Sequence, residues 1–174
     1  MTLLRTQFTG LTASVTLAAF GLIGATAPSA GATVSACGNN SLKVSHTTAD
    51  AATGHGTFVL LFRNTSPRTC TIYGYPGLDA LDASGHVLAH ARRTLRGFAG
   101  GAHVEGTVTI RPNHYGSARV EWLNFNPTTS GSCTFSKSVA TTAANTARAV
   151  RLAVSVSVCR LQVHPTVGGT SGNN

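Results

Sequence analysis

The chain has 174 residues, 13 Lys+Arg against 5 Asp+Glu, and a formal net charge of +8, with only 10% of residues charged. A hydrophobic content of 42% excludes bulk disorder. The length argues for one domain, and five carboxylates leave few to spare for hydrolytic or metal-dependent chemistry.

Residues 1–32 have the layout of a signal peptide, expected as an N-terminal helix. Arg5 is the only charge before Lys43, Leu11 to Ile23 is apolar or small, and Ala30-Gly31-Ala32 is an A-x-A cleavage box. The apolar run is short for a bilayer span of ~20 residues, and no later run matches it, so no transmembrane segment is expected after cleavage. A buried N-terminal helix is the competing reading. Val34-Ser35-Ala36-Cys37 also fits the loose pattern before a lipidated cysteine. Against that anchor, small and polar residues separate it from the apolar run, and lipidation of Cys37 would leave an odd number of cysteines. The expected product is secreted, with cell-wall association open.

From Thr33 onward 12 Lys+Arg face 5 acids, a net charge of +7, and ten of the twelve bases are Arg. Part of that arginine bias suits a high-GC genome. A basic exported chain meets anionic envelope polymers or phospholipid head groups before it meets nucleic acid, so nucleic acid is disfavoured by compartment; an anionic cell-envelope polymer or another surface protein is the expected partner. The oligomeric state is not legible.

The cysteines are Cys37, Cys70, Cys133 and Cys159. None forms the close pair that zinc sites favour, so two disulfides are expected in an exported chain. Of three possible connectivities, the sequential loops Cys37–Cys70 and Cys133–Cys159 are the expected ones, although spacing alone does not exclude the others.

The rest reads as short runs rich in Val, Thr, Ile, Phe and Tyr, broken by Gly, Pro, Asn and Ser. Leu42 to Ser45 alternates. Thr57 to Arg63 is apolar on both faces, as a central strand should be. Asn64 to Arg68 turns, Cys70 to Ile72 resumes a strand, and Tyr75-Pro76-Gly77 and Ala83-Ser84-Gly85 turn again. Val87 to Ala91 is a strand and Gly97 to Ala102 a loop. Val104, Gly106, Val108 and Ile110 share one strand face, opposite Glu105, Thr107, Thr109 and Arg111. After Pro112-Asn113, Ala118, Val120 and Trp122 point inward and Arg119 and Glu121 outward. A strand starting at Cys133 and Phe135 fades near Ala140, and Thr141 to Ala147 is a polar stretch with room for one helical turn. Leu152, Val154, Val156 and Val158 alternate until Cys159, where Leu161 and Val163 take over the apolar phase. That flip predicts a bulge or a change of sheet.

About eight strands with turns every 8–12 residues predict an all-β, immunoglobulin-like antiparallel β-sandwich. The domain is expected over 33–165, with 166–174 as a flexible C-terminal tail.

Cys37 followed by Leu42-Lys43-Val44, Gly54-His55-Gly56-Thr57 running into Phe58 to Thr65, Thr69-Cys70-Thr71-Ile72-Tyr73-Gly74-Tyr75-Pro76-Gly77, and Ala91-Arg92-Arg93 together resemble one family of actinobacterial secreted and lipoprotein domains, domain of unknown function 4232. The resemblance covers roughly Cys37 to Pro165, with Cys133 and Cys159 in the late positions. Pro112-Asn113-His114 departs from it, since relatives tend to Pro-Gly before a strand. Many relatives carry a lipobox cysteine besides the domain cysteines. Here Cys37 would have to be both, which supports free secretion. The resemblance implies secretion and a sandwich; it supplies no activity.

Catalytic patterns are weak. His86 and His90 have the i, i+4 spacing of a helical zinc site but no intervening Glu, and on a strand they stand ~13 Å apart. No Gly-x-Ser-x-Gly elbow occurs, Gly97 to Gly101 lacks phosphate-loop spacing, and Asp79 and Asp82 read as turn residues. No metal and no cofactor is expected. Arg92, Arg93, Arg96, Arg111 and Arg119 make a candidate basic binding patch, and Tyr73 and Tyr75 are candidates for stacking on a sugar or peptide or for packing locally. The expectation is a non-catalytic exported module that binds at the cell envelope. The alternative is a secreted hydrolase with a site built from dispersed His and Asp residues, among them His55, Asp79, His86 and His90.

Overall fold

A computed structural model describes residues 33–174; the expected signal segment, 1–32, lies outside the described residues. In chain order the strands are β1 (Leu42–His46), β2 (Asp50–Ala52), β3 (His55–Asn64), β4 (Cys70–Tyr73), β5 (Gly77–Leu81), β6 (Val87–His90) and β7 (Arg92–Arg93). They continue with β8 (Thr107–Ile110), β9 (Tyr115–Leu123), β10 (Ser138–Thr142), β11 (Ala149–Leu152), β12 (Gln162–Val163) and β13 (Val167–Gly168). The larger sheet runs β1-β3-β9-β12-β7, with β2 on β3 and β13 on β9; the smaller runs β11-β10-β5-β6; β4 and β8 form a separate pair. The strands outnumber the expected eight because several are only two or three residues long. β12 and β7 pair in parallel, unlike the antiparallel pairing expected throughout.

The two sheets share one apolar core. Phe58, Leu60 and Phe62 of β3 and Ala118, Val120 and Trp122 of β9 meet Leu78 and Ala80 of β5, Val139 of β10 and Leu152 of β11. Ile72 and Ile110 of the β4–β8 pair belong to the same cluster. Alternation of side chains along each strand sorts these residues to one face. The phase flip at Cys159 is a change of sheet: β11 lies in the smaller sheet and β12 in the larger.

Three further segments depart from the pattern expected of them. The strand expected from Val104 starts only at Thr107, and Val104 is 64% exposed. Phe135 makes an isolated bridge to Ser157, and the strand begins at Ser138. Residues 166–174 are hydrogen-bonded to the larger sheet rather than hanging free as the expected flexible tail. β13 pairs with β9, Gly172 N donates to Ser117 Oγ at 3.0 Å, and Asn173 Oδ1 accepts from Gly101 N at 2.8 Å.

Cys37–Cys70 and Cys133–Cys159 are the disulfides, and no free cysteine remains among the described residues. The first ties the N-terminal segment to β4. The second joins the loop before β10 to the point where the chain changes sheet. Both suit an oxidising compartment.

Asn64 shows how one polar residue fixes a turn from inside the core. It is fully buried. Its Nδ2 donates to Arg68 O and Ile110 O, and its Oδ1 accepts from Ser66 N and Oγ. Gly56 has a different reason to be small. It lies across from Trp122 in the β3–β9 register, and a Cβ there would overlap the indole ring. Gly56→Ala is therefore expected to cost about 1–3 kcal/mol through overpacking, read as a lower midpoint in denaturant unfolding.

Candidate functional site

Three of the five arginines proposed as a patch have separate side-chain partners. Arg119 Nη1 donates to Thr57 Oγ1 at 3.2 Å, and its Nε donates to Asn173 Oδ1 at 3.2 Å. Arg92 Nη2 donates to Gln162 Oε1 at 2.9 Å. Arg96 is exposed on the loop after β7, and Arg111 sits in the turn between β8 and β9. Arg93 leaves the group in another direction: its guanidinium lies over the Tyr75 ring, 5.7 Å from the centroid.

That contact helps to form a cleft. β4 ends at Tyr73, and Gly74 takes φ 83°, a conformation open to glycine, so the chain reverses and presents Tyr75 beside Tyr73. Two remote segments hold the turn: Tyr73 N donates to Asn145 Oδ1 at 2.8 Å and Thr166 N donates to Gly74 O at 2.9 Å. Tyr73, Gly74, Tyr75, Arg93, Glu105 and Asn145 line a cleft of about 540 Å³. Tyr73 is 53% exposed, so it does not pack away locally. Burial, then the neighbouring Glu105 carboxylate, holds the Tyr75 hydroxyl above its ordinary pKa. The cleft thus offers two aromatic rings, one cation, one carboxylate and an amide. Aromatic faces flanked by fixed polar groups suit stacking and hydrogen bonding to a polar ligand such as a sugar. The tyrosines and Arg93 were legible as candidates; Glu105 and Asn145 were not, since nothing in the sequence ties them to this turn.

The histidines proposed for catalysis do not converge. His90 Nδ1 lies 2.6 Å from Asp79 Oδ1, a cross-strand pair of β5 and β6 with the imidazole 78% exposed. Asp79 is therefore a strand residue rather than the expected turn residue. Asp82 is the turn residue expected. It caps His86 N at 2.9 Å, and this backbone hydrogen bond, ahead of the weaker opposing effect of burial, lowers its pKa. His86 Nδ1 lies 3.3 Å from Asp82 Oδ2, also in the open. The His55 ring meets Phe98 edge-on at 6.0 Å.

A third histidine–carboxylate pair went unread in the sequence. Glu121 points away from the inter-sheet core, as expected of the outer face, yet it is fully buried, and so is His164. His164 Nε2 lies 3.3 Å from Glu121 Oε1 and its Nδ1 lies 3.0 Å from Ala102 O. Glu121 also accepts from Phe98 N, from Ala99 N at 2.7 Å, and from Gln162 Nε2 at 3.3 Å. The Gly97–Ala102 loop thus lies directly on the pair. A Cβ at Gly97 would overlap Glu121 and His164, and one at Gly101 would overlap His164. Burial disfavours the charged imidazole, but Glu121 and the Ala102 carbonyl outweigh it, so the His164 pKa is raised. Such a sealed pair fastens the Gly97–Ala102 loop to the sheet.

The model of the family described as Domain of unknown function (DUF4232) matches residues 37–168. No curated protein matches the chain, and no solved structure does.

Proposed function

From a chain that belongs to the DUF4232 family, we propose an exported, non-catalytic binding module that engages a cell-envelope polymer through the cleft of Tyr73, Tyr75 and Arg93. The observation that carries the reading is the guanidinium of Arg93 over the Tyr75 ring beside an exposed Tyr73. Rigid aromatic rings and arginine are the residue types that concentrate binding energy at recognition sites. The high net charge adds attraction to anionic polymers at long range, an effect that salt screens over about 10 Å at 0.1 M. Export supplies the polymer, and the two disulfides support export.

The test is co-sedimentation with purified cell-wall fractions at low and high salt. Retention at low salt and release at high salt are expected. Tyr73→Ala and Arg93→Ala are each expected to weaken retention by about tenfold, the size of an ordinary interface anchor, with thermal unfolding unchanged for the exposed Tyr73. Salt-insensitive or absent retention would remove the polymer reading. Release of soluble fragments from the wall, abolished by His90→Ala, would instead favour the secreted hydrolase, with the Asp79–His90 pair as its base.

A further inference from the structure

A second cleft, of about 480 Å³, opens at the other end of β8. One wall is Thr109, Arg111, His114 and Tyr115; the other is Gly168, Gly169 and Thr170. None of the chain's five Asp and Glu residues lines it, while Arg111, His114 and the hydroxyl-bearing Thr109, Tyr115 and Thr170 do. We propose that this cleft binds a phosphoryl group, either free phosphate or a phosphate ester within a polymer.

The cleft is held open from both sides. His114 N donates to Arg111 O at 3.0 Å, closing a turn in which Asn113 takes φ 65°. Asparagine tolerates that left-handed conformation better than most residues, and it places His114 directly after the turn. Asn113 Oδ1 accepts from Arg63 Nη2 at 2.9 Å, which brings a second guanidinium to the same turn. Arg63 itself does not line the cleft; it braces the turn that carries Arg111 and His114. The opposite wall is set by the docked C-terminal segment: Gly169 N donates to Tyr115 O at 2.9 Å and Gly168 pairs with Gly116.

Chemistry selects the ligand class. A guanidinium fork matches the paired oxygens of a phosphoryl group, and charge-assisted hydrogen bonds to it are the stronger kind. Hydroxyls on both walls serve the remaining oxygens of a tetrahedral anion, whereas a carboxylate has only two oxygens to offer. The cleft is separate from that of Tyr73 and Arg93, so the two stand or fall by different variants.

Isothermal titration at constant ionic strength tests the assignment, with inorganic phosphate, glycerol phosphate, a glycerophosphodiester and acetate as probes. Phosphate is expected to bind at least tenfold more tightly than acetate. Arg111→Ala is expected to weaken it by tenfold or more, and His114→Ala by a smaller factor. Arg96→Ala removes the same unit of charge from an exposed loop and is expected to leave the affinity within twofold. Diester binding as tight as that of phosphate identifies a polymer as the source; binding of phosphate and the monoester alone identifies a free phosphate or terminal ester. Equal losses in the Arg111 and Arg96 variants, or acetate binding as well as phosphate, would overturn the proposal.

Discussion

Below pH 6.5, where His164 is protonated, Glu121→Ala is expected to lower the unfolding free energy by about 3–5 kcal/mol, the cost of removing one partner from a buried ion pair. The substitution also removes the acceptor for Phe98 N, Ala99 N and Gln162 Nε2, and leaves the imidazole of His164 fully buried beside nothing anionic. Denaturant unfolding measures the loss. The pH profile identifies its origin. In the parent the folded pKa of His164 lies above its ordinary 6.5. That contribution is therefore complete below 6.5 and fades as pH rises through the raised value. In Glu121→Ala the carboxylate is gone and burial, the largest influence on the ring, disfavours its charge. The local slope should then reverse, with stability rising with pH across the histidine range. A variant that keeps the parent slope would show that the pair does not couple as described.

The second large effect concerns the disulfides. The Cys37→Ala/Cys70→Ala double variant is expected to lose about 3.5–4 kcal/mol, from the entropy of closing a loop over a separation of 33 residues. The Cys133→Ala/Cys159→Ala variant, with a separation of 26, should lose slightly less. The two also differ in access. Cys37 and Cys70 are 2% and 5% exposed, whereas Cys133 and Cys159 are half-buried. A mild reductant acting on the folded protein should open Cys133–Cys159 first, because thiol–disulfide exchange needs an approaching thiolate. Mass mapping after timed alkylation reads the order. Simultaneous opening would point to global unfolding as the route of reduction.

The inter-sheet core was readable because alternation is a local property: Phe58, Leu60 and Phe62 announce their face without reference to any other strand. The flip at Cys159 was readable for the same reason, as a break in a local rhythm. Alternation says only which residues face away from that core, and there the reading failed. Glu121 looked like a solvent-facing charge, but the loop that covers it begins some twenty residues upstream and its histidine partner lies 43 residues downstream. The glycines of Gly97 to Gly101 looked like slack; they let backbone lie against Glu121 and His164. The arginines were visible as types, but their partners, Tyr75 for Arg93 and Thr57 for Arg119, depend on strand order rather than on spacing. Arg111 and His114 were read separately, one as a surface charge and one as a departure from the family pattern, and the turn between them brings both to one cleft.

The insertion of β12 between β9 and β7 sets the timetable of assembly. Arg92 and Gln162 lie 70 residues apart, and Gln162 also pairs with Glu121. Until residues 162–168 arrive, β9 keeps one bare flank and β7 has no neighbour in its sheet. Loops of such span close slowly, so commitment to the native topology waits for nearly the whole chain. A fragment stopped before Gln162 would present that flank as a template for intermolecular pairing, making premature termination an aggregation hazard.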